Sequence, residues 1–183
     1  MELHLDLRES ATRASILNQV RARLDDAVSV AVHAAVASAG LPVRHQRDID
    51  EVNESIDELA VSGRVKADMR AIYGILARAE AEVHGCPVER THFHEVGRPE
   101  GLRNVALICL ALEALDPSRI TATAVQVGSG TVVCDHGTLD VPAPATAAIL
   151  AQGIPVCEER LEGELCTPTS AAVLKHFVQE FVV

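Results

Sequence analysis

The chain has 183 residues, enough for one domain or two small ones, and 48% of them are hydrophobic while only 2% are aromatic. The formal net charge is -10, from 26 acidic and 16 basic residues, and no Lys/Arg cluster forms the basic stripe that phosphate backbones require. This composition argues against nucleic acid as a partner. It predicts a core of Ala, Val, Leu and Ile side chains where helices lie close on a sheet.

Cysteine usage and the N-terminus indicate the compartment. The cysteines number five, an odd count, and no CxxC pair occurs, so neither a disulfide framework nor a zinc ribbon is expected. The N-terminal segment lacks an apolar signal core, and no apolar run approaches the roughly 20 residues that span a bilayer. We therefore expect a cytoplasmic protein with free thiols and no membrane partner.

The apolar periodicity predicts a strand, then helices, then mixed strands and helices, which is typical of an α/β or α+β fold. We expect a single domain over 1–183, with a mainly helical part over 1–116 and a small mixed β-sheet with helices over 117–183. Helices are predicted over 12–39, 48–60, 64–84 and 101–115, from Pro144, and from Thr167 to a buried Phe181. Strands are predicted over 2–7, 120–127, 131–134 and 154–157, with a tight turn at 128–130 joining the middle pair. The polar segment 43–47 is interpreted as a linker.

The segment His92-Phe93-His94-Glu95 is the sharpest local signal for chemistry. In an extended segment, side chains two residues apart point to the same face, so His92 and His94 could hold one cation between them. Imidazole suits Ni, Zn and Cu, and Glu95 could add a carboxylate or orient a ring. The alternative is a structural loop whose histidines bond backbone groups.

Three further places could bind a ligand. Backbone N–H groups around Ser129 and Gly130 could approach a phosphate, although a hairpin turn explains the same residues. Thr167 and Thr169 supply hydroxyls at a helix start, where an anion can bind, or they form an ordinary N-cap. His136 lies in a second polar segment, just after a predicted strand. No nucleophile motif supports an unrelated hydrolase.

Five stretches together resemble the LarC-type nickel-insertion proteins. They are residues 79–85 (AEAEVHG), 92–97 (HFHEVG), 127–137 (VGSGTVVCDHG), 141–146 (VPAPAT) and 162–172 (EGELCTPTSAA). The order and spacing carry the resemblance over about residues 45 to 180. Any one stretch alone would not.

The resemblance implies a role in making the nickel-pincer cofactor of lactate racemase. Proteins of this family insert nickel into a pyridinium bis-thiocarboxylate mononucleotide and form a nickel–carbon bond in a CTP-dependent reaction. By resemblance, family motifs are matched at positions that include His92, His94, Glu95, His136, Thr167 and Thr169. With the residue chemistry above, the expected metal-binding set is His92, His94, Glu95 and His136, and the expected anion- or nucleotide-binding set is Thr167, Thr169, Ser129 and Gly130. The implied ligands are nickel and a nucleotide-like precursor.

The sequence departs from the family pattern in its polar loops. Residues 9–15 replace a glycine-rich Ser-Gly-Ile-Ser-Gly-Asp-Met loop, and Glu100 and Asn104 occupy the positions of two aspartates. By comparison with the family resembled, we expect a deletion near 40–45 and no counterpart here of the family's C-terminal domain, to which the resemblance assigns the CTP-dependent step. We therefore expect a LarC-like part of a CTP-dependent, lyase-type system, inactive alone, without CTP in this chain, and acting as a homo-oligomer or with a separate partner. The alternative is a non-catalytic family member that serves as a binding or regulatory subunit.

Overall fold

The computed structural model describes residues 1–135 and 137–182, and it confirms a mixed α/β class. The helices are α1 Arg13–Arg21, α2 Asp26–Ser38, α3 Ile49–Glu58, α4 Gly63–His84, α5 Pro99–Leu115, α6 Pro144–Leu150 and α7 Pro168–Phe177, with a short 3-10 turn at Val88–Arg90. The strands are β1 Glu2–Leu5, β2 Arg119–Thr123, β3 Gly128–Ser129, β4 Thr131–Cys134, β5 Gly137–Asp140, β6 Gly163–Glu164 and β7 Glu180–Val182.

A parallel sheet of order β1-β2-β7 ties the two ends of the chain together. Leu3 lies opposite Ile120, and Ala122 lies opposite Phe181. Leu3, Ile120 and Ala122 are at most 4% exposed, so this sheet contributes one face to the core. Parallel neighbours require long crossover connections, and here the two crossovers carry all seven α-helices of the described residues.

The predicted hairpin between 120–127 and 131–134 is wrong. Strand β2 pairs with β1 and β7, whereas β4 pairs with β5 and β3 pairs with β6. Gly128 has a φ of 87°, and a Cβ added there would lie 1.8 Å from the carbonyl oxygen of Gly163. The glycine therefore permits close packing of β3 on β6. Of the strand predicted over 154–157, only a single bridge from Val156 to Val125 is present.

Two helix predictions also need correction. The helix predicted over 12–39 is two helices, because Asp25 is extended (ψ 151°) and serves as the N-cap of α2. The last helix ends at Phe177, and Phe181 belongs to β7, where pairing with β2 overrides the apolar periodicity. The helices predicted over 48–60 and 64–84 and from Pro144 and Thr167 are confirmed within one or two residues.

Helix α4 is the central element and packs against α3, α5, α6 and α7. Its start is capped by the Ser62 hydroxyl, which accepts from the Val65 N–H, and Gly85 ends it in the left-handed conformation. Its buried stripe includes Met69, Ile72 and Leu76, all 0% exposed. Of the helices in the described residues, none combines the length and apolarity needed to cross a membrane.

Candidate functional site

A cavity of about 450 Å³ lies where the end of α4, the loop 91–97 and the start of α5 meet the β4–β5 hairpin and the starts of α6 and α7. Its volume falls within the range of small-molecule sites. Apolar walls come from residues such as Val83, Val132 and Leu139. Elements far apart in sequence therefore build one concave, mostly apolar site.

The loop 91–97 is held by three hydrogen bonds to two other parts of the chain, residues 46–47 and α4. The Phe93 N–H donates to the Arg47 carbonyl at 2.6 Å, and the Gln46 N–H donates to the Gly97 carbonyl at 2.7 Å. The buried Tyr73 hydroxyl donates to the Val96 carbonyl at 3.0 Å. Gln46 is 0% exposed, so the segment interpreted as a linker is in fact part of the support of this loop.

Only some of the predicted metal ligands line the cavity. His94 and Glu95 do, whereas His92 is exposed and lies outside the lining. The prediction for His136 falls outside the described residues. In residues 1–135 and 137–182, no three His, Cys, Asp or Glu side chains lie close enough together to hold a metal ion as they stand.

The last turn of α4 adds two residues that the sequence analysis missed. His84 and Glu80 line the cavity, with 3.6 Å between His84 Nε2 and Glu80 Oε2. The rings of His84 and His94 have centroids 6.4 Å apart. The signal was present in the sequence, because residues four apart lie on the same face of a helix.

Only some of the predicted anion-binding residues line the cavity. Thr167 and Thr169 line the cavity, but Ser129 and Gly130 do not, and the Ser129 hydroxyl donates to the Leu161 carbonyl at 2.8 Å. The Thr167 hydroxyl accepts from the Ser170 N–H at 3.3 Å as the N-cap of α7.

The hydroxyl of Thr169, unlike that of Thr167, does not cap a helix. Thr169 is 6% exposed, and its hydroxyl has no hydrogen-bond partner within the part of the chain that the structure describes. The hydroxyl oxygen is not sealed from solvent, so a polar ligand group that enters the cavity can reach it. Thr169 is therefore available to a polar group in the cavity.

Two carboxylates and a guanidinium complete the polar lining. Glu164 and Glu95 line the cavity together with Arg13 from α1. Burial raises the pKa of the Glu164 carboxyl, the negative charge of Glu95 raises it further, and the positive charge of Arg13 opposes both. The sequence analysis missed Arg13 and Glu164 because nothing local marks them.

The β4–β5 hairpin is joined to the other wall by an ion pair. Arg98, at the start of α5, donates through Nη2 to both carboxylate oxygens of Asp135, each at 2.8 Å. Val133 on the outer face of the hairpin is 79% exposed, whereas Val132 and Cys134 line the cavity. The hairpin therefore covers one side of the site.

Comparison with known proteins gives the relatives of this chain. The family model described as nickel insertion protein matches residues 3–182. A putative nickel insertion protein of Rhodopirellula baltica is 37% identical over 76% of this chain and 35% of its own length. The pyridinium-3,5-bisthiocarboxylic acid mononucleotide nickel insertion protein of Staphylococcus epidermidis is 34% identical over 94% of this chain and 44% of its own. The Thermotoga petrophila protein of the same name is 45% identical over 60% of this chain and 28% of its own.

No solved structure matches the chain. The chain spans less than half the length of these relatives, and the family match covers nearly all of its own residues. The sequence resemblance is thereby confirmed, and the chain belongs to the nickel insertion protein family.

Proposed function

We propose that this chain binds Ni²⁺ and pyridinium-3,5-bisthiocarboxylic acid mononucleotide in the cavity, as part of a system that inserts nickel into that precursor. Nickel is here a substrate. The observation that carries the proposal is that one cavity brings His94 and Glu95 together with Thr167 and Thr169. The substrate is the one named for the Staphylococcus epidermidis relative.

The metal end of the cavity has suitable chemistry for nickel. Imidazole is a good ligand for Ni²⁺, and the thiocarboxylate sulfurs of the precursor add softer ligands. The wall around His94 and His84 lies at the C-terminal end of α4, whose dipole favours a cation. A metal delivered there would meet the precursor inside the site.

The start of α7 suits the anionic groups of a mononucleotide. Pro168 has no N–H, and the Ser170 and Ala171 N–H groups donate to Thr167. The first turn of α7 therefore offers the N–H and the hydroxyl of Thr169, and this hydroxyl has no partner among the described residues. Arg13 supplies a positive charge to the same cavity. We propose that the phosphate of the precursor binds here and that its ring lies along the apolar wall.

Of the other residues predicted from the sequence, only His136 is assigned a role in the proposal. His136 is retained as a candidate nickel ligand, because its neighbours in sequence Cys134 and Leu139 line the cavity. His92, Ser129 and Gly130 are given no contact with the precursor. We propose that the chain works in the cytoplasm, with its five cysteines as free thiols, and that a further domain or a partner supplies the CTP-dependent step.

A second candidate is a binding subunit without catalysis. The half-buried Arg13 favours it, because this charge stands within the 9–15 segment, where the family resembled has a glycine-rich loop. Both candidates predict binding of the precursor. They differ in whether nickel enters the precursor when CTP and the proposed further domain or partner are supplied.

The experiment is a calorimetric titration of the native chain with the precursor. We expect one precursor per chain and at least fivefold weaker binding by Thr169→Val, which removes only the cavity hydroxyl. Thr146→Val is the matched control, because the Thr146 hydroxyl is buried, lacks a partner among the described residues and lies outside the cavity lining. Failure of the native chain to bind the precursor, or equal weakening by both variants, would contradict the proposal.

A further inference from the structure

We propose that the β4–β5 hairpin is a lid that opens and closes over the cavity, with the Arg98–Asp135 ion pair as its latch. The hairpin contributes Val132, Cys134 and Leu139 to the lining. Val132 and Leu139 lie opposite each other in the ladder, so one face of the hairpin forms a wall of the site. Movement of the hairpin therefore changes how far the cavity is open to solvent. This inference does not depend on which ligand the cavity binds.

Few backbone contacts join the hairpin to the rest of the chain. Strands β4 and β5 pair only with each other, and β4 passes beside β6 without joining its sheet. At the base of the hairpin the Val141 N–H donates to the Gly130 carbonyl at 2.9 Å. Between these two residues, the described part of the hairpin makes no backbone hydrogen bond to another element. A two-stranded hairpin is marginally stable at best in water, so side-chain contacts must hold this one in place.

The packing of the hairpin is shallow. Every residue in 131–135 and 137–140 is exposed or half-buried. Strands β1 and β2, in contrast, place side chains such as Leu3 and Ile120 in the core, where they are at most 4% exposed. Segments with few buried apolar contacts open at a lower cost in free energy than core elements do. The hairpin can therefore open while the core stays folded.

The latch is an ion pair on the surface. Arg98, at the start of α5, donates to both carboxylate oxygens of Asp135 at 2.8 Å. The two side chains are 49% and 43% exposed, so salt screens the pair and its contribution is modest. No other hydrogen bond or ion pair links a side chain in 131–135 or 137–140 to another element among the described residues. A bond of this strength favours the closed position and still breaks readily.

The start of the hairpin has a suitable hinge. Gly130 has a φ of 93°, and a Cβ added there would meet nothing within 4 Å. Glycine adopts both signs of φ at little cost, and open space around it lets the backbone rotate without a clash. We therefore place the hinge at Gly130, where the chain leaves β3 and enters β4.

The test is hydrogen–deuterium exchange of the full chain without ligand, followed by mass spectrometry of peptides. Arg98→Gln removes the latch and leaves the sequence of the hairpin unchanged. We expect the hairpin amides of this variant to exchange about two- to fivefold faster, the range that exposed ion pairs contribute to an equilibrium. Arg64→Gln is the matched control, because it breaks an exposed ion pair with Asp116 of 2.7 Å that lies outside the hairpin and the cavity lining.

Salt provides a second comparison on the same chains. About 1 M NaCl should speed exchange of the hairpin in the native chain and in Arg64→Gln, but not in Arg98→Gln, where the ion pair is already absent. Equal hairpin exchange in the native chain and Arg98→Gln overturns the inference. So does an increase in Arg98→Gln that extends to the core amides of α4, because it would show general destabilisation.

A third comparison adds the precursor and rests on the proposed function. We expect bound precursor to slow exchange of the hairpin amides in the native chain at least twofold, because closing over a ligand stabilises the closed position. Bound precursor with unchanged hairpin exchange overturns the lid. Failure of the precursor to bind contradicts the proposed function instead, and the lid is then decided by the two comparisons without ligand.

Discussion

Replacement of Gly97 by alanine tests how tightly the cavity loop is held. A Cβ at this position would lie 2.0 Å from the Gln46 carbonyl oxygen, 2.9 Å from the Phe93 Cβ and 3.0 Å from His45 Nε2. The first distance falls about 1.4 Å short of the 3.4 Å at which ordinary contact begins. The backbone at Gly97 must therefore move away from the backbone at Gln46. The 2.7 Å hydrogen bond from the Gln46 N–H to the Gly97 carbonyl is then lost or lengthened.

The expected cost follows from those two effects. Overpacking in a tight site costs about 1–3 kcal/mol, and a lost hydrogen bond costs about 1 kcal/mol. We expect Gly97→Ala to lower the free energy of unfolding by about 3 kcal/mol, and Tm by about 6–12 °C for a domain of this size. Urea and thermal unfolding followed by far-ultraviolet circular dichroism measure both, since the chain has no Trp.

Gly63→Ala is the control for the same substitution. Gly63 begins α4, and a Cβ there would have nothing within 4 Å. We expect a change within about 0.5 kcal/mol. Equal urea midpoints for the two variants would refute the reasoning, because they would show that the loop and the segment before α3 separate without cost.

Three further predictions concern the support and the charges of the site. Tyr73→Phe removes the hydroxyl that donates to the buried Val96 carbonyl at 3.0 Å, so we expect the free energy of unfolding to fall by about 1–3 kcal/mol. Urea unfolding measures this change, and an unchanged urea midpoint would contradict the contact. The pKa of Glu164 is raised above its ordinary value of 4.5, so protonation of this carboxyl stabilises the folded state. This stabilisation is fully present below pH 4.5 and is lost as the pH rises through the raised pKa. Glu95→Gln should lower the pKa of Glu164 in a carboxyl NMR titration, and an unmoved pKa would exclude the coupling. Burial raises the pKa of Cys109 and, to about 12, that of Cys166, so a thiol reagent at pH 8 should label the other three cysteines first and these two only on unfolding.

Local signals in the sequence were sufficient for most helices. The regular apolar spacing along α4 and the caps at Ser62, Asp48 and Thr167 place helix starts within a residue or two. These features act over one helical turn, so a single sequence contains them. The break at Asp25 was missed because the apolar spacing continues across it, while the backbone turns.

The pairing of the strands and the set of residues that line the cavity could not be predicted from local sequence signals. Strand β1 pairs with β2, more than 110 residues later, and no local pattern selects that partner over a nearby hairpin. The same holds for Arg13 and Glu164, which reach the cavity only through the packing of α1 and β6. His94, Glu95 and Thr169 were predicted from motifs, but their meeting in one cavity depends on long-range packing of the helices.

The central claim is that this cavity receives nickel and the pyridinium mononucleotide together. The most direct test is a crystal structure of the chain with Ni²⁺ and the precursor, with anomalous difference maps recorded at the nickel absorption edge. The account predicts one nickel peak in the cavity, with the precursor beside it and its phosphate near Thr169. Nickel bound only outside the cavity, or precursor density elsewhere on the chain, would contradict the account.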